Sequence, residues 1–420
     1  MITEEMRKYR NNIRYKVDTL VVLFNDGSTI EVEPGMITSI YIEKDFDNLY
    51  FPIINLSVVI DDELYNRITN ENETVKFRLR INKLIYDANN IYIKYELLFN
   101  EIFICFSNKE VIIKDKKSVQ NKKEVEHSVA TQNTRANTRN FYLFKEDVIK
   151  CKKNMNLSIK KSTIQDLVLY MFNKANIDKL LMSIPDNLNY INNLLIPNSN
   201  LIESILYVNE LKGFFNRGLL LFFDVDTAYF IDKSSKCTSW RKNEVRITHL
   251  HVSDDESFKS KITGEFVDKD RKSSHIFTNT NSTKIFNVGL LNDQLSGNNI
   301  VVINNKSNKI DNINPDTTQI GDSNIKYLTT KEDNEFSINE IKYRMEENEC
   351  VIQTAILSVD IDTMTPNKEF LITFSSSELN KLYGGNYRIS KEVFILKKDG
   401  ENLINTSECI FKKQKWLKEI

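Results

Sequence analysis

His249 and His251 stand two residues apart, and on a β-strand that spacing puts both imidazoles on one face, where they could ligate a transition metal. No third ligand follows at a recognisable spacing, although Asp254 and Asp255 are near, so the stronger reading is a pair of strand histidines without a metal. Asp224, Asp226 and Asp232 invite a reading as paired carboxylates for acid–base catalysis, which needs two acids whose surroundings drive their pKa values apart. Asp224-Val225-Asp226 falls between two apolar runs, however, and aspartate in a turn is accounted for by hydrogen bonds to its own backbone. Ser375, Ser376 and Ser377 have no histidine close in sequence, and Gly384-Gly385 in LYGGNYRIS reads as a turn before a strand rather than a phosphate cradle. GxSxG, HExxH, P-loop and GxGxxG patterns do not occur. No catalytic, cofactor-binding or metal residue is assigned, no cofactor is expected, and the chain is read as a non-enzyme.

The elements that would position these residues are mostly strands. The 420 residues suit two to four domains, and 41% hydrophobic with 27% charged residues describes a folding, globular chain. Fifty-seven Lys and Arg against 58 Asp and Glu give a net charge of -1, so any binding must come from local patches. The polar start MITEEMRKYRNNIRYK lacks the apolar core of a signal peptide, and nowhere do about 18 apolar residues run together, so no integral membrane segment is expected. Cys105, Cys151, Cys237, Cys350 and Cys409 are widely spaced and read as reduced, mostly buried thiols.

Along the chain, residues 1–106 read as an N-terminal β-barrel domain. The Asn25-Asp26-Gly27 turn supports a hairpin, and Val75, Phe77, Leu79 and Ile81 alternate with Lys76, Arg78, Arg80 and Asn82 as a half-buried strand with a basic outer face. Residues 107–140 are poor in aromatics and read as a polar linker or mobile loop. Residues 141–235 read as an α+β insert. One helix has Ser162 and Gln165 at capping-box spacing, a second follows Asn200 with Glu203 and ends at Gly213, Pro185 and Pro197 bound a strand-like segment, and a β-meander follows. A polar, β-rich peripheral region spans 236–335, and 336–420 reads as a C-terminal β-barrel, with Ser337 and Glu340 as one more capping box. The order strand, acidic hinge, strand, acid-Leu turn, long strand occurs in both end regions, first around 37–81 and again around 354–395, which suggests two similar barrels.

The segment NLLIPNSNLIESILYVNELKGFFNRGLLLFFDVDTAYFIDKS, Asn193 to Ser234, resembles the middle domain of phage tail and baseplate hub proteins, and MTPNKEFLITFSSSELNKLYGGNYRISKEVFILKKDGE, Met364 to Glu401, is similar to their last barrel. The resemblance implies a mainly β fold in which two tube-like β-barrel domains flank and pack with a smaller α/β domain. It also implies a homotrimeric hub in the baseplate of a virion tail, assembled in the host cytoplasm. Such a hub joins a sixfold tail tube to a threefold central spike and forms part of a channel that nucleic acid could traverse. On that reading Lys76, Arg78 and Arg80, and with them Arg388 and Lys391, are expected to face an acidic neighbour or the channel. A cell-wall-degrading tail enzyme using Asp224 and Asp226, and a receptor-binding or adhesin module, are the alternatives from other functional classes.

Overall fold

The strand Lys76–Tyr86 forms where apolar and basic residues alternate: Val75, Phe77, Leu79 and Ile81 are buried while Arg78 is exposed. The alternation ends at a register shift between Ile81 and Asn82, and beyond it both Asn82 and Lys83 are buried, so Asn82 does not share the outer face expected of it. The computed structural model describes residues 12–71, 75–86, 92–105, 136–225, 227–233, 247–253, 264–268, 273–279, 282–286, 300–304, 310–312, 326–330, 336, 339, 350–357 and 359–414.

Eight strands close into a barrel in the order Gly385–Asp399, Ile37–Asp45, Ile53–Asp61, Ala136–Lys145, Tyr92–Cys105, Lys76–Tyr86, Asn12–Leu23 and Asn402–Lys413, the last pairing back onto the first. Inward residues such as Tyr15, Ile40, Ile42, Leu56, Phe77, Leu79, Phe103, Leu143 and Phe394 form its core. The expected mainly β, barrel-based fold is thus present, but its closure differs from the expectation. The first 106 residues do not complete this barrel by themselves, because Ala136–Lys145 and the two strands of the C-terminal hairpin supply the rest of the ring. Without them the strands contributed by the first 106 residues would be left with unpaired edges. Residues 136–140, expected as linker, open one of these strands, and 107–135 lie outside the described residues.

The C-terminal hairpin belongs to two sheets at once. Lys391 to Lys397 pair with Asp45 to Ser39 of the barrel, whereas Gly385 to Tyr387 pair with Ile372 to Phe370. The change of partner falls at a β-bulge between Ile389 and Lys391, where the added local twist lets one strand leave one sheet for another. Beyond the bulge, Glu369–Phe374, Ile247–Ser253, Ser273–Asn279 and Gly264–Asp268 extend the second sheet on one flank, and Val351–Leu357 and Thr283–Phe286 on the other. The flanks meet through hydroxyls: Thr278 Oγ1 lies 3.2 Å from Thr354 Oγ1 and 3.2 Å from the Ala355 carbonyl. The second sheet therefore curls toward a barrel of its own.

Both ends of the chain carry a strand, a short helix and a long strand in succession, as the repeated order suggested: Ile53–Asp61, Asp62–Asn70, Lys76–Tyr86, and Glu369–Phe374, Ser377–Tyr383, Gly385–Asp399. Each helix is capped, by Asp61 on Leu64 N–H and by Ser376 on Leu379 N–H. The strand pairing is not repeated. Glu369–Phe374 pairs directly with Gly385–Asp399, while Ile53–Asp61 and Lys76–Tyr86 lie apart in their barrel.

The insert between the sheets is built from the helices Asp147–Cys151, Ile164–Lys174 and Leu201–Lys212, the ribbon Met155–Ser162 with Ile191–Ser199, and a sheet of Leu180–Met182, Leu219–Phe223 and Ala228–Asp232. Asn200 and Glu203 make the expected capping box, and Gly213, at φ 66°, supplies the positive φ that ends the helix. A loop of the barrel reaches into this core: Phe46 meets Phe222 edge-on at 4.8 Å, and Phe51 stacks on Phe223 at 5.0 Å. Such pairs are worth about 0.5–1.5 kcal/mol each beyond simple burial, enough to make the insert a fixed part of the barrel's end.

Candidate functional site

Among the described residues, the densest set of ion pairs lies where barrel, insert and second sheet meet. Asp47, on the loop that carries Phe46, accepts from Arg388 Nη2 at 2.9 Å, Lys412 Nζ at 2.8 Å and Ser390 Oγ at 2.5 Å, with Lys233 Nζ at 3.8 Å. Ser390 sits in the bulge at which the hairpin changes sheets and Arg388 just before it, Lys412 comes from the other hairpin strand, and Lys233 follows the last strand of the insert's sheet. One carboxylate thus ties three parts of the chain together. Burial alone would raise its pKa, but Arg388, then Lys233 and Lys412, outweigh burial and hold it well below the usual carboxylate range.

A second charged set closes one end of the eight-stranded barrel. Lys44 points inward from Ile37–Asp45 and donates to Asp224 Oδ2 at 2.9 Å, both side chains being buried, while Val225 joins the barrel core. Glu392, opposite Lys44 in the strand register and fully buried, accepts from Ser407 Oγ at 3.1 Å. Burial dominates its titration, and the pull of Lys44 and Ser407 is too weak to cancel it, so its pKa rises to about 8. Lys83, on the inward parity of Phe77, Leu79 and Ile81, binds Asp360 at 2.7 Å and also Asp362, holding the loop that carries Ile361 into the same core. Between these loops lies a cavity of about 230 Å³ with Lys44, Asp224, Phe99, Tyr229 and Asp362 among its walls. Asp224 is therefore an anchoring partner of Lys44, and Asp226 lies outside the described residues, so the two do not form a described pair of reacting carboxylates.

The structure separates the basic residues singled out from sequence. Lys76 pairs with Glu146 at 2.8 Å and Arg80 with Asp18 at 3.4 Å, both at the surface, while Arg78 is exposed. Arg388 is not on a basic face at all: it is 2% exposed and committed to Asp47. Lys391 is bound to Glu43 and lies 3.9 Å from Asp45, so it too serves the barrel rather than presenting a free charge. At Arg388, just before the bulge between Ile389 and Lys391, the strand's regular alternation is lost and the side chain is buried, whereas Lys391 keeps the outward parity it shares with Val393 and Ile395.

Sequence spacing missed the third member of the histidine group. His275, on Ser273–Asn279, pairs in register with His249, stacks on it at 4.7 Å, and has Nδ1 3.1 Å from His251 Nε2, while His251 Nδ1 lies 2.9 Å from Thr373 Oγ1. Burial, followed by His275 and His249, lowers the His251 pKa to about 4. The rings are parallel within 9°, so their in-plane lone pairs do not converge on one point, and no metal-holding group of three or more His, Cys, Asp or Glu occurs among the described residues. Cys105, Cys151, Cys350 and Cys409 are free and buried thiols, as expected of them; Cys237 lies outside the described residues.

The family described as Bacteriophage PBS1 gene 109 protein matches residues 2–414. The chain belongs to this family. Among solved structures, this family member resembles the tail protein from Neisseria meningitidis at 9% identity, covering 96% of this chain and 97% of that one with a TM-score of 0.51. The 43 kDa tail protein of prophage MuSo2 from Shewanella oneidensis matches at 8% identity and TM-score 0.47, covering 93% and 96% of the two chains. The E. coli c3393 protein, a component of the type VI secretion system, matches at 7% identity and TM-score 0.43, covering 96% and 77%. A comparison with curated proteins finds no match. The resemblance to phage tail proteins read from Asn193–Ser234 and Met364–Glu401 is thereby borne out: the family is a phage family and the fold is that of a tail protein. Among the described residues, no helix is long and apolar enough to cross a membrane.

Proposed function

We propose that this chain is a structural hub of the tail baseplate, a homotrimer that joins the sixfold tail tube to a threefold spike and lines part of the central channel. The observation that carries the reading is the shared C-terminal hairpin, which sets two curled sheets side by side in one chain. Three copies around an axis would then present six barrel-like units, so a threefold body could match a sixfold ring without changing the symmetry of either. The ion pairs at Asp47 and Lys44 suit this role, because they fix the angle between the units instead of presenting a reactive group. Tube and spike proteins of the same particle are the partners, and nucleic acid would pass without being held.

Image reconstruction of the purified particle tests this. Threefold density with an open axis, into which three copies fit, is the expected result; a ring of another order, or single copies each enclosing a ligand, would overturn it. The outer face of Lys76–Tyr86 provides a finer test. Reversing Lys76, Arg78 and Arg80 together to Glu is expected to leave the barrel folded, since all three side chains are at least partly exposed, and to block particle assembly. Normal particle yield from that variant would remove this face from the contact surface.

A further inference from the structure

The insert exposes large apolar side chains within one short stretch: Ile184 is 72% exposed, Leu188 75%, Tyr190 59% and Leu195 64%. Leu195 lies on the ribbon strand Ile191–Ser199, opposite Ser158 on Met155–Ser162, and Tyr190 at the ribbon's end carries the Lys161 ammonium over its ring at 4.5 Å. Lys153, Lys160 and Lys161 are exposed along the same ribbon and its lead-in. Charge is segregated here: no Asp or Glu occurs between Asp147 and Asp166, or between Asp186 and Glu203, in a chain whose net charge is only -1. The ribbon is a sheet of two strands, so each has one edge without a strand partner among the described residues. Pro197, which cannot donate to a ladder, is accommodated in such an edge strand.

We infer that this ribbon docks an extended, acidic segment of another protein of the particle, which adds to it as a further strand. An exposed strand edge offers backbone hydrogen bonds to an incoming strand, while the side chains beside it select the sequence. Here the selecting groups are Leu188, Tyr190 and Leu195, which favour apolar residues, and Lys160 and Lys161, which favour carboxylates between them. Tyr190 and Leu195 are five residues apart, about 17 Å along an extended chain, so a partner segment of similar length spans both. A nucleic-acid backbone would satisfy the lysines and leave the exposed aliphatic side chains in water. A second copy of this ribbon would place lysines against lysines. The inference rests on the tail role proposed above but not on the threefold arrangement.

Photo-crosslinking in assembled particles tests it, with a benzophenone side chain introduced at Leu195 and, as a control, at Leu382, which is 55% exposed on the helix Ser377–Tyr383. Mass spectrometry is expected to find position 195 joined to a segment of a different particle protein in which Asp or Glu alternates with apolar residues. Lys160→Glu with Lys161→Glu should cut that yield at least tenfold and leave adducts at 382 unchanged. The inference is overturned by adducts to another copy of this chain, to nucleic acid, to lipid or to an acid-free segment, by no adduct at 195, or by a yield indifferent to the two substitutions. A threefold particle that shows one of these outcomes removes the docking segment alone; a particle of another symmetry with the expected adduct removes the hub reading alone.

Discussion

Asp47→Asn is expected to lower the unfolding free energy by about 3–5 kcal/mol, the range for removing one partner of a buried ion pair. The reason is what remains behind: Arg388, 2% exposed, loses the carboxylate that receives its guanidinium, and Lys412 and Lys233 lose the same anion. Because Asp47 joins barrel, hairpin and insert, the loss should appear as a lower urea midpoint for the whole described core and not as fraying of one strand. Adding Arg388→Met to Asp47→Asn should recover part of the loss, since the buried cation then goes too. The pH dependence has a definite sign. The folded carboxyl is held well below its ordinary 3.8, so it binds fewer protons than in the unfolded chain. Its contribution is complete above 3.8 and disappears as pH falls through the folded value, so Asp47→Asn should flatten the acid limb of the stability curve. A loss below about 1 kcal/mol, the scale of an exposed pair, would show that the cluster is solvated.

What could be read in the sequence was local. Gly27, with φ 82°, completes the hairpin turn expected at Asn25-Asp26-Gly27, and Asp26 accepts from Ser28 N–H at 2.8 Å. The helix start near Ser162 was legible to within one residue: Thr163 is the cap, accepting from Asp166 N–H at 3.1 Å. The strand expected between Pro185 and Pro197 runs on through Pro197 because it lies at an edge, where the missing N–H costs no ladder bond. The capping box at Ser337 and Glu340 lies outside the described residues.

What could not be read was set by partners far along the chain. Nothing near Asp47 announces Arg388, 341 residues away, and a lysine inside a strand, as at Lys44, looks like a surface residue until Asp224 is brought to it. Alternation is a parity rule that irregular register interrupts; next to the shifts after Ile81 and Ile389, Asn82 and Arg388 departed from the faces expected of them. His275 escaped notice for the related reason that strand register, not spacing, puts it beside His249. The repeated order of elements in the two ends was visible, but the single hairpin that serves both sheets was not, because sheet membership changes within one strand.

That hairpin also carries a large expected pH effect between the acid range and neutrality. Glu392 holds its proton in the folded barrel up to about pH 8, against an ordinary value of 4.5, because burial outweighs Lys44 and Ser407. The folded state therefore keeps a proton that the unfolded chain releases, and stability must fall as pH rises from 4.5 toward 8, then level off. At about 1.4 kcal/mol per pKa unit the cost at pH 7 is about 3 kcal/mol. Glu392→Gln copies the neutral acid in shape and can still accept from Ser407 Oγ, so it should match the parent chain near pH 4 and exceed it by about 3 kcal/mol at pH 7. Urea denaturation across that range measures the difference. If the two stability curves stay parallel from pH 4 to 8, Glu392 ionises in the folded state as it does in the unfolded one, and Lys44 is shared between two carboxylates instead of being held by Asp224.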